Sequence, residues 1–189
     1  RADIEVLLEN YFGIVVVDEA YIYFSRQKSF VSDLTDYPNL VVMQTLSKAW
    51  GLAALRVGMA FASKEIIGVM NKIKPPYNIN QASQELVLKA LDEVEQVNDM
   101  IRVLVEERNR LAEKLGQLPA VQKVYPSDAN FLLVKMDRAR DTYNQLLEKG
   151  IVVRDRSNVA LCEDCLRITV GTEAENQQLF TALASFAHV

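Results

Sequence analysis

The sequence predicts an α/β fold, because short apolar strands alternate with amphipathic helical segments along most of its length. Two apolar runs, residues 14–17 and 40–43, have the composition of strands that are buried on both faces of a sheet. A third apolar run covers residues 57–62. In sheets of this class, ligands bind at the carboxyl ends of the strands, so the polar residues that follow these runs are the first candidates for a functional site.

The remaining segments of the first half connect or flank these strands. Residues 2–10 carry apolar side chains at helical spacing and predict an amphipathic helix that ends before Gly13. Residues 25–39 are polar and predict a loop with one short helix. Ser63 is the expected N-cap of a helix through residue 71, and the prolines at 75 and 76 end it. The chain starts inside a predicted helix and without Met, so we expect further residues upstream.

The second half changes character after a long helical segment. Residues 81–115 are predicted to be helical, and the sequence leaves open whether they form one helix or two helices with a break near residues 92–98. Gly116 and Pro119 end this segment. We therefore expect two domains, residues 1–115 and a smaller α+β domain of residues 116–189. The predicted elements of the smaller domain are strands at 121–125, 130–134, 151–154 and 165–170, a helix at 139–149, and a final helix that Thr172 and Glu175 begin with a capping box.

Composition narrows the class of protein. The chain has 189 residues, of which 50% are hydrophobic and 24% charged, and its net charge is −4. These values are typical of a globular protein, and the lack of a basic stripe argues against a nucleic-acid partner. No apolar run approaches the length of a membrane span, and the N-terminus has no signal-peptide pattern.

The two cysteines, Cys162 and Cys165, form a Cys-Glu-Asp-Cys motif. A redox pair and half of a zinc site are both open interpretations, although two free thiols bordering a strand are the commoner outcome. The only histidine is His188, so one chain offers no four-ligand Cys/His site, and we expect no metal. Free thiols indicate a reducing, cytoplasmic setting.

Three charged residues follow or precede the predicted strands. Asp18 follows the first strand, Lys48 lies beyond the second, and Arg56 precedes the third. Each has an ordinary structural interpretation, as a turn cap, a surface charge or an ion-pair partner. Together, at strand ends, they match the needs of pyridoxal 5'-phosphate: an amine for its aldehyde, a carboxylate for its ring nitrogen and a cation for its phosphate.

Neighbouring side chains add donors to this set. Thr45 and Ser47 could donate hydroxyl hydrogen bonds to the phosphate, and Tyr21 could donate to the ring hydroxyl.

These motifs resemble those of the fold-type I, pyridoxal-phosphate-dependent aminotransferases. The resemblance rests on Val-Val-Asp-Glu-Ala-Tyr at 16–21 and on Thr-Leu-Ser-Lys-Ala-Trp-Gly-Leu-Ala-Ala-Leu-Arg-Val-Gly at 45–58. It continues at residues 130–131, 150–155 and 166–172. It covers nearly all of this chain but only about the C-terminal half of a family member. The pair of Arg154 and Arg167 favours the histidinol-phosphate branch of the family.

The resemblance implies a reaction and a role for each residue. The reaction is amino transfer between histidinol phosphate and 2-oxoglutarate, giving imidazole acetol phosphate and glutamate in histidine biosynthesis. It also implies a homodimer, and a chain that holds part of the large cofactor domain, a linking helix and the small C-terminal domain. By this resemblance, Lys48 forms the Schiff base and shuttles a proton, Asp18 pairs with the pyridine nitrogen, and Tyr21 pairs with the ring oxygen. The cofactor phosphate is held by Thr45, Ser47 and Arg56. Arg167 binds the substrate carboxylate, and Arg154 and Arg167 together bind the substrate phosphate.

The chain departs from the family pattern at Ala54, where glycine is usual, and at Tyr23, where an acidic residue is common. It also lacks the family's N-terminal half, with its glycine-rich phosphate turn and ring-stacking aromatic residue. We therefore expect that these 189 residues alone bind the cofactor weakly, are inactive, and associate through uncovered sheet edges and an apolar face.

Three alternatives stay open from the sequence. An aromatic or broad-range aminotransferase, or a threonine-phosphate decarboxylase, would share the same cofactor residues. A third alternative is a non-catalytic α/β binding module that has lost its site.

Overall fold

The computed structural model describes residues 1–186, so His188 lies outside the described part of the chain. It confirms the α/β class, with strands and helices alternating along the sequence. Contacts divide the chain into two compact units, Arg1–Asn98 and Asp99–Val189, and each is described by itself below. The domain boundary that the sequence places after residue 115 stays a prediction.

The first unit contains three strands and three complete helices. The break left open near residues 92–98 separates two helices, since Asp92 and Glu93 lie between a helix at Gln81–Leu91 and a helix at Val94–Leu115. Helix α4 (Val94–Leu115) begins in this unit and continues into the second. The other elements are α1 (Ala2–Asn10), β1 (Val15–Asp18), β2 (Leu40–Thr45), β3 (Gly58–Ala62), α2 (Lys64–Ile73) and α3 (Gln81–Leu91), with short 3-10 helices at Ile22–Phe24, Phe30–Asp33 and Ala53–Leu55.

The sheet of the first unit has the order β1-β2-β3. Strand β1 runs parallel to β2, with Asp18 opposite Met43, and β3 runs antiparallel to β2, with Thr45 opposite Gly58. The ends of β1 and β2 and the beginning of β3 therefore lie at one edge of the sheet. This is the edge where the sequence predicts the site.

One face of this sheet carries the core of the unit. Leu8 of α1 and Phe30 of the loop pack on Leu40 and Val42 of β2, which are completely buried. On the other face, Val16 is 53% exposed. The prediction that the first strand is buried on both faces is therefore wrong within this chain, because α1 and the Phe30 segment cover only one side. The predicted exposed apolar face is present only in part, because Val16 and Met43 are exposed while Val41 on the same face is buried.

The second unit packs helices on one face of an antiparallel sheet. Its sheet has the order β4-β5-β7-β6. Side chains of β5 alternate, so Leu132, Val134 and Met136 are buried in the core while Phe131 and Leu133 lie half-buried on the opposite face. The elements are β4 (Val121–Val124), β5 (Phe131–Met136), α5 (Ala139–Glu148), β6 (Arg154–Asp155), β7 (Cys165–Thr169) and α6 (Glu173–Ser185).

The prediction of a strand at residues 151–154 is largely wrong, because pairing of this segment with β7 begins only at Arg154. Gly150 adopts a left-handed φ of 73°, which ends α5 as predicted. The Ile151 N–H then donates back to the Leu146 carbonyl at 2.9 Å, so it is used by the helix end rather than by a strand. Val153 is buried in the core. The predicted capping box of α6 is confirmed.

Both cysteines are free thiols, and Cys165 is buried at the start of β7. Burial raises the pKa of the Cys165 thiol. Within residues 1–186, no group of three or more His, Cys, Asp or Glu side chains is arranged to hold a metal ion. Over the same residues, no helix combines the length and apolar character needed to cross a membrane.

The Asp155 carboxylate lies at the end of the short strand β6. Its hydrogen bonds give a reason to expect that the stability of the fold depends on pH. Burial alone would raise its pKa, but hydrogen bonds from Ser157 and Arg140 outweigh burial and hold the pKa below the usual 3.8. The Arg140 Nη1 atom lies 2.6 Å from the carboxylate. A carboxyl group with a lowered folded-state pKa stabilises the fold above its unfolded-state pKa and loses that contribution as pH falls through the folded-state value.

We therefore predict that Asp155→Asn flattens the fall in unfolding free energy between about pH 5 and pH 2. Urea denaturation across this pH range measures the slope. Asp141→Asn is the matched control, since Asp141 also pairs with an arginine but its side chain is 51% exposed. Equal slopes for wild type and Asp155→Asn would contradict the assignment.

Candidate active site

The predicted site lies where three strand ends meet. Asp18 is the last residue of β1, and the Glu19 N–H extends the pairing by donating to the Met43 carbonyl at 2.8 Å. Asp18 is exposed, and its Oδ1 atom accepts from the Ala20 N–H at 2.9 Å. This aspartate turn sets the path of the chain from Asp18 to Tyr21.

The segment between β2 and β3 is anchored at both ends and presents Lys48 between them. Leu46 and Val57 are buried, and the Leu46 N–H donates to the Val57 carbonyl at 3.2 Å. The Leu52 N–H closes the loop by donating to the Leu46 carbonyl at 3.0 Å, and Gly51 donates to Lys48 at 3.1 Å. The backbone at Lys48 is therefore fixed while its side chain is exposed.

The structure brings two of the predicted residues together. The Lys48 Nζ atom lies 5.3 Å from the centre of the Tyr21 ring, close enough for a cation–π contact. The two residues come from different loops, one after β1 and one after β2. A primary amine and a phenol are therefore adjacent at the carboxyl edge of the sheet.

The hydroxyl of Thr45 is used within the loop. Thr45 Oγ1 donates to the Val57 carbonyl at 3.3 Å and accepts from the Ser47 N–H at 3.1 Å. These bonds join the end of β2 to the beginning of β3. The roles of Thr45 and Ser47 at a phosphate stay predictions.

Arg56 adopts a backbone conformation that is unfavourable for its residue type. Its φ is 57°, in the left-handed region, which destabilises a residue other than glycine by about 1–2 kcal/mol. The side chain is exposed, and its Nη1 atom donates to the Ala53 carbonyl at 3.0 Å. Arg138, Leu161 and Asp164 also have a left-handed φ, so this conformation does not by itself mark Arg56 as a functional residue.

The second unit places two predicted arginines side by side. Arg154 of β6 lies directly opposite Arg167 of β7 in the antiparallel register. Cross-strand partners extend from the same face of a sheet, so both side chains lie on one face. A carboxylate or a phosphate can accept hydrogen bonds from two arginines placed in this way.

Glu19 is a positioning residue that the sequence analysis missed. Its side chain is buried and accepts hydrogen bonds from Ser29 Oγ at 2.6 Å, the Phe30 N–H at 2.7 Å and Gln44 Nε2 at 2.9 Å. These contacts tie the loop that carries Asp18 and Tyr21 to the end of β2. The available signal was a second carboxylate directly after an apolar strand, but its partners are distant in sequence.

The side chains of the first unit fit a phosphorylated pyridine aldehyde by their chemistry. Lys48 supplies an exposed amine, Asp18 an exposed carboxylate and Arg56 an exposed cation. These three groups match the aldehyde, the ring nitrogen and the phosphate of such a molecule.

Comparison with known proteins gives a consistent result. The sequence model of the family described as aminotransferase class I and II matches residues 1–183. The histidinol-phosphate aminotransferase of Parabacteroides distasonis is 55% identical over 183 residues, which are 97% of this chain and 53% of that protein. The chain therefore spans about half the length of the curated relatives it matches.

Solved structures agree with the sequence relatives. The L-threonine-O-3-phosphate decarboxylase of Porphyromonas gingivalis matches with a TM-score of 0.86 at 28% identity, over 98% of this chain and 59% of that one. The histidinol-phosphate aminotransferase of Sinorhizobium meliloti in complex with pyridoxal-5'-phosphate matches with a TM-score of 0.77 at 26% identity, over 90% of this chain and 48% of that one.

We predict that Glu19→Gln destabilises the chain by about 1–3 kcal/mol. The substitution replaces one acceptor oxygen by an amide NH2 group, which cannot accept the hydrogen bonds that the surrounding groups donate to Glu19. The double variant Glu19→Gln, Gln44→Glu exchanges donor and acceptor and should recover much of this loss. Urea denaturation measures both. The exposed Glu9→Gln is the control and should stay within about 0.5 kcal/mol of wild type. A single variant as stable as wild type would show that these bonds contribute little.

Proposed function

The chain belongs to the aminotransferase class I and II family, and we propose from this that the protein transfers amino groups with the help of pyridoxal phosphate. The observation that carries the proposal is the Lys48 Nζ atom beside the Tyr21 ring at the strand edge. The proposed substrates are histidinol phosphate and 2-oxoglutarate, which the 55% identity to a histidinol-phosphate aminotransferase supports.

When bound, pyridoxal phosphate supplies an electron sink that makes the α-hydrogen of an amino acid removable. Lys48 would hold the group through Nζ, and its amine would move the proton at the substrate α-carbon. Asp18 would pair with the ring nitrogen, where a carboxylate favours the protonated form. The Tyr21 hydroxyl would donate to the ring oxygen. The adjacent amine and phenol agree with these paired roles.

The phosphate end needs positive charge and donors. Arg56 supplies the charge, and the Ser47 hydroxyl supplies a donor beside it. The Thr45 hydroxyl joins them only if it exchanges its bond to the Val57 carbonyl for one to the phosphate. The anchored loop between β2 and β3 holds these groups within one short segment.

Arg154 and Arg167 account for the choice of substrates. Arg167 binds the carboxylate of glutamate or 2-oxoglutarate, and both arginines bind the phosphate of histidinol phosphate. A phosphate offers three oxygens and up to two negative charges, so it can engage both guanidinium groups at once. The facing arrangement of the two arginines supports this division of roles.

The alternatives differ in their products. A threonine-phosphate decarboxylase would release carbon dioxide, and its solved relative is 28% identical to this chain. An aromatic or broad-range aminotransferase would accept amino donors without phosphate. A non-catalytic module would need none of these residues, which makes the combined set at the strand ends hard to explain. The higher identity to histidinol-phosphate aminotransferases favours amino transfer.

We further propose that the protein works in the cytoplasm as a homodimer with small-molecule substrates, and without nucleic-acid or membrane partners. The 189 residues alone are proposed to be inactive. They match 53% of the Parabacteroides distasonis relative. Within residues 1–186, Val16 of the central sheet is left 53% exposed to solvent.

Substitution of Arg154 tests the substrate assignment. In protein expressed from the complete reading frame, Arg154→Gln should raise KM for histidinol phosphate by about tenfold to a hundredfold, because a charge-assisted hydrogen bond is lost. KM for glutamate should rise much less. Arg138→Gln is the control, since Arg138 is exposed and pairs with Asp141. Equal rises for both substrates would contradict the proposed division.

Activity of the chain itself tests the proposal about its length. Protein from the complete reading frame should convert histidinol phosphate and 2-oxoglutarate to glutamate, while the 189-residue chain should show no measurable turnover with saturating cofactor. Glutamate formation is the readout. Robust turnover by the 189-residue chain would refute this part of the account.

A further inference from the structure

We propose that Phe131 is a positioning residue that holds the Arg167 guanidinium ready for the anionic end of the substrate. The inference rests on the proposed function, because it concerns how Arg167 performs the role assigned above. Its starting point is a contact that the sequence does not reveal: the Arg167 Cζ atom lies 4.9 Å from the centre of the Phe131 ring.

The register of the sheet places the two side chains on one face. Arg167 of β7 lies opposite Leu133 of β5 on one side and Arg154 of β6 on the other. Phe131 lies opposite Thr169, so it is the diagonal neighbour of Arg167 on the same face. The guanidinium therefore has a ring partner on one strand, while a second cation stands on the opposite neighbouring strand.

The backbone at Phe131 is held from several directions. The Ser127 hydroxyl donates to the Phe131 carbonyl at 2.6 Å and accepts from the Ala129 N–H at 3.1 Å. The Ala129 carbonyl accepts from Nη1 of the buried Arg108 at 2.9 Å. On the other side of the strand, Val170 donates to the Asn130 carbonyl at 3.0 Å. These bonds fix the start of β5, and with it the base of the Phe131 side chain.

This arrangement has two physical consequences for Arg167. The attraction between the ring and the cation favours one location of a flexible side chain, which lowers the entropy lost when an anion binds. A contact with the face of an aromatic ring acts on the charge of the cation and takes no hydrogen bond from its N–H groups. The ring thus favours one location of the guanidinium without being a hydrogen-bond acceptor for it.

The test compares Phe131→Leu with Phe131→Tyr in protein from the complete reading frame. Phe131→Leu should weaken binding of 2-oxoglutarate and of inorganic phosphate by about threefold to thirtyfold, measured by titration calorimetry. Its KM for 2-oxoglutarate should rise in parallel, while kcat changes less than about twofold. Phe131→Tyr keeps an aromatic face and should bind both anions within about twofold of wild type.

A double-variant cycle separates positioning from general support of the fold. In an Arg167→Gln background the cation is absent, so Phe131→Leu should cause no further loss of anion affinity. Tyr125→Leu is the matched control, because it removes a similar contact of Lys123, whose Nζ atom lies 4.7 Å from that ring. This control should leave anion binding within about twofold of wild type.

Several results would overturn the inference. They are unchanged anion affinity in Phe131→Leu, a full loss that persists in the Arg167→Gln background, an equal loss in Tyr125→Leu, or no phosphate binding by wild type. Absence of amino transfer in wild type would instead overturn the proposed function. The phosphate titration would then still decide whether Phe131 positions Arg167.

Discussion

The proposed cofactor site depends on the hydrogen bonds that the buried carboxylate of Glu19 accepts. A carboxylate removed from water is unfavourable unless donors replace the solvent, and Ser29, Phe30 and Gln44 supply such donors. Because these donors belong to the long β1–β2 connection and to β2 itself, one side chain joins segments that are distant in sequence. The loop that carries Asp18 and Tyr21 thereby takes a fixed path beside the end of β2, from which the Lys48 loop departs.

The second unit contributes a pair of cations. Arg154 and Arg167 lie opposite each other in one strand pair, so both side chains extend from the same face of the sheet. An anion that accepts hydrogen bonds from both arginines is the proposed ligand of this pair. The Phe131 ring contacts the Arg167 cation, which favours one location of that side chain.

The sequence predicted those features that local pattern and chemistry determine. The apolar strands, the polar residues at their ends and the capping box at Thr172 belong to this group. Other features depend on contacts between distant segments, and these could not be predicted. Glu19, as a charged residue, is expected at the surface. Its burial becomes evident only when the fold brings Ser29 and Gln44 into contact with it. Residues 151–153 have strand propensity, but the end of α5 uses the Ile151 N–H and the core takes Val153.

Lys48 is the residue proposed to hold pyridoxal phosphate. The most direct measurement is reduction of protein from the complete reading frame, loaded with pyridoxal phosphate, by borohydride, followed by peptide mass mapping. We expect a phosphopyridoxyl group on the peptide that contains Lys48, and its loss in Lys48→Arg. Attachment to a different lysine, or protein with no retained phosphopyridoxyl group, would contradict it.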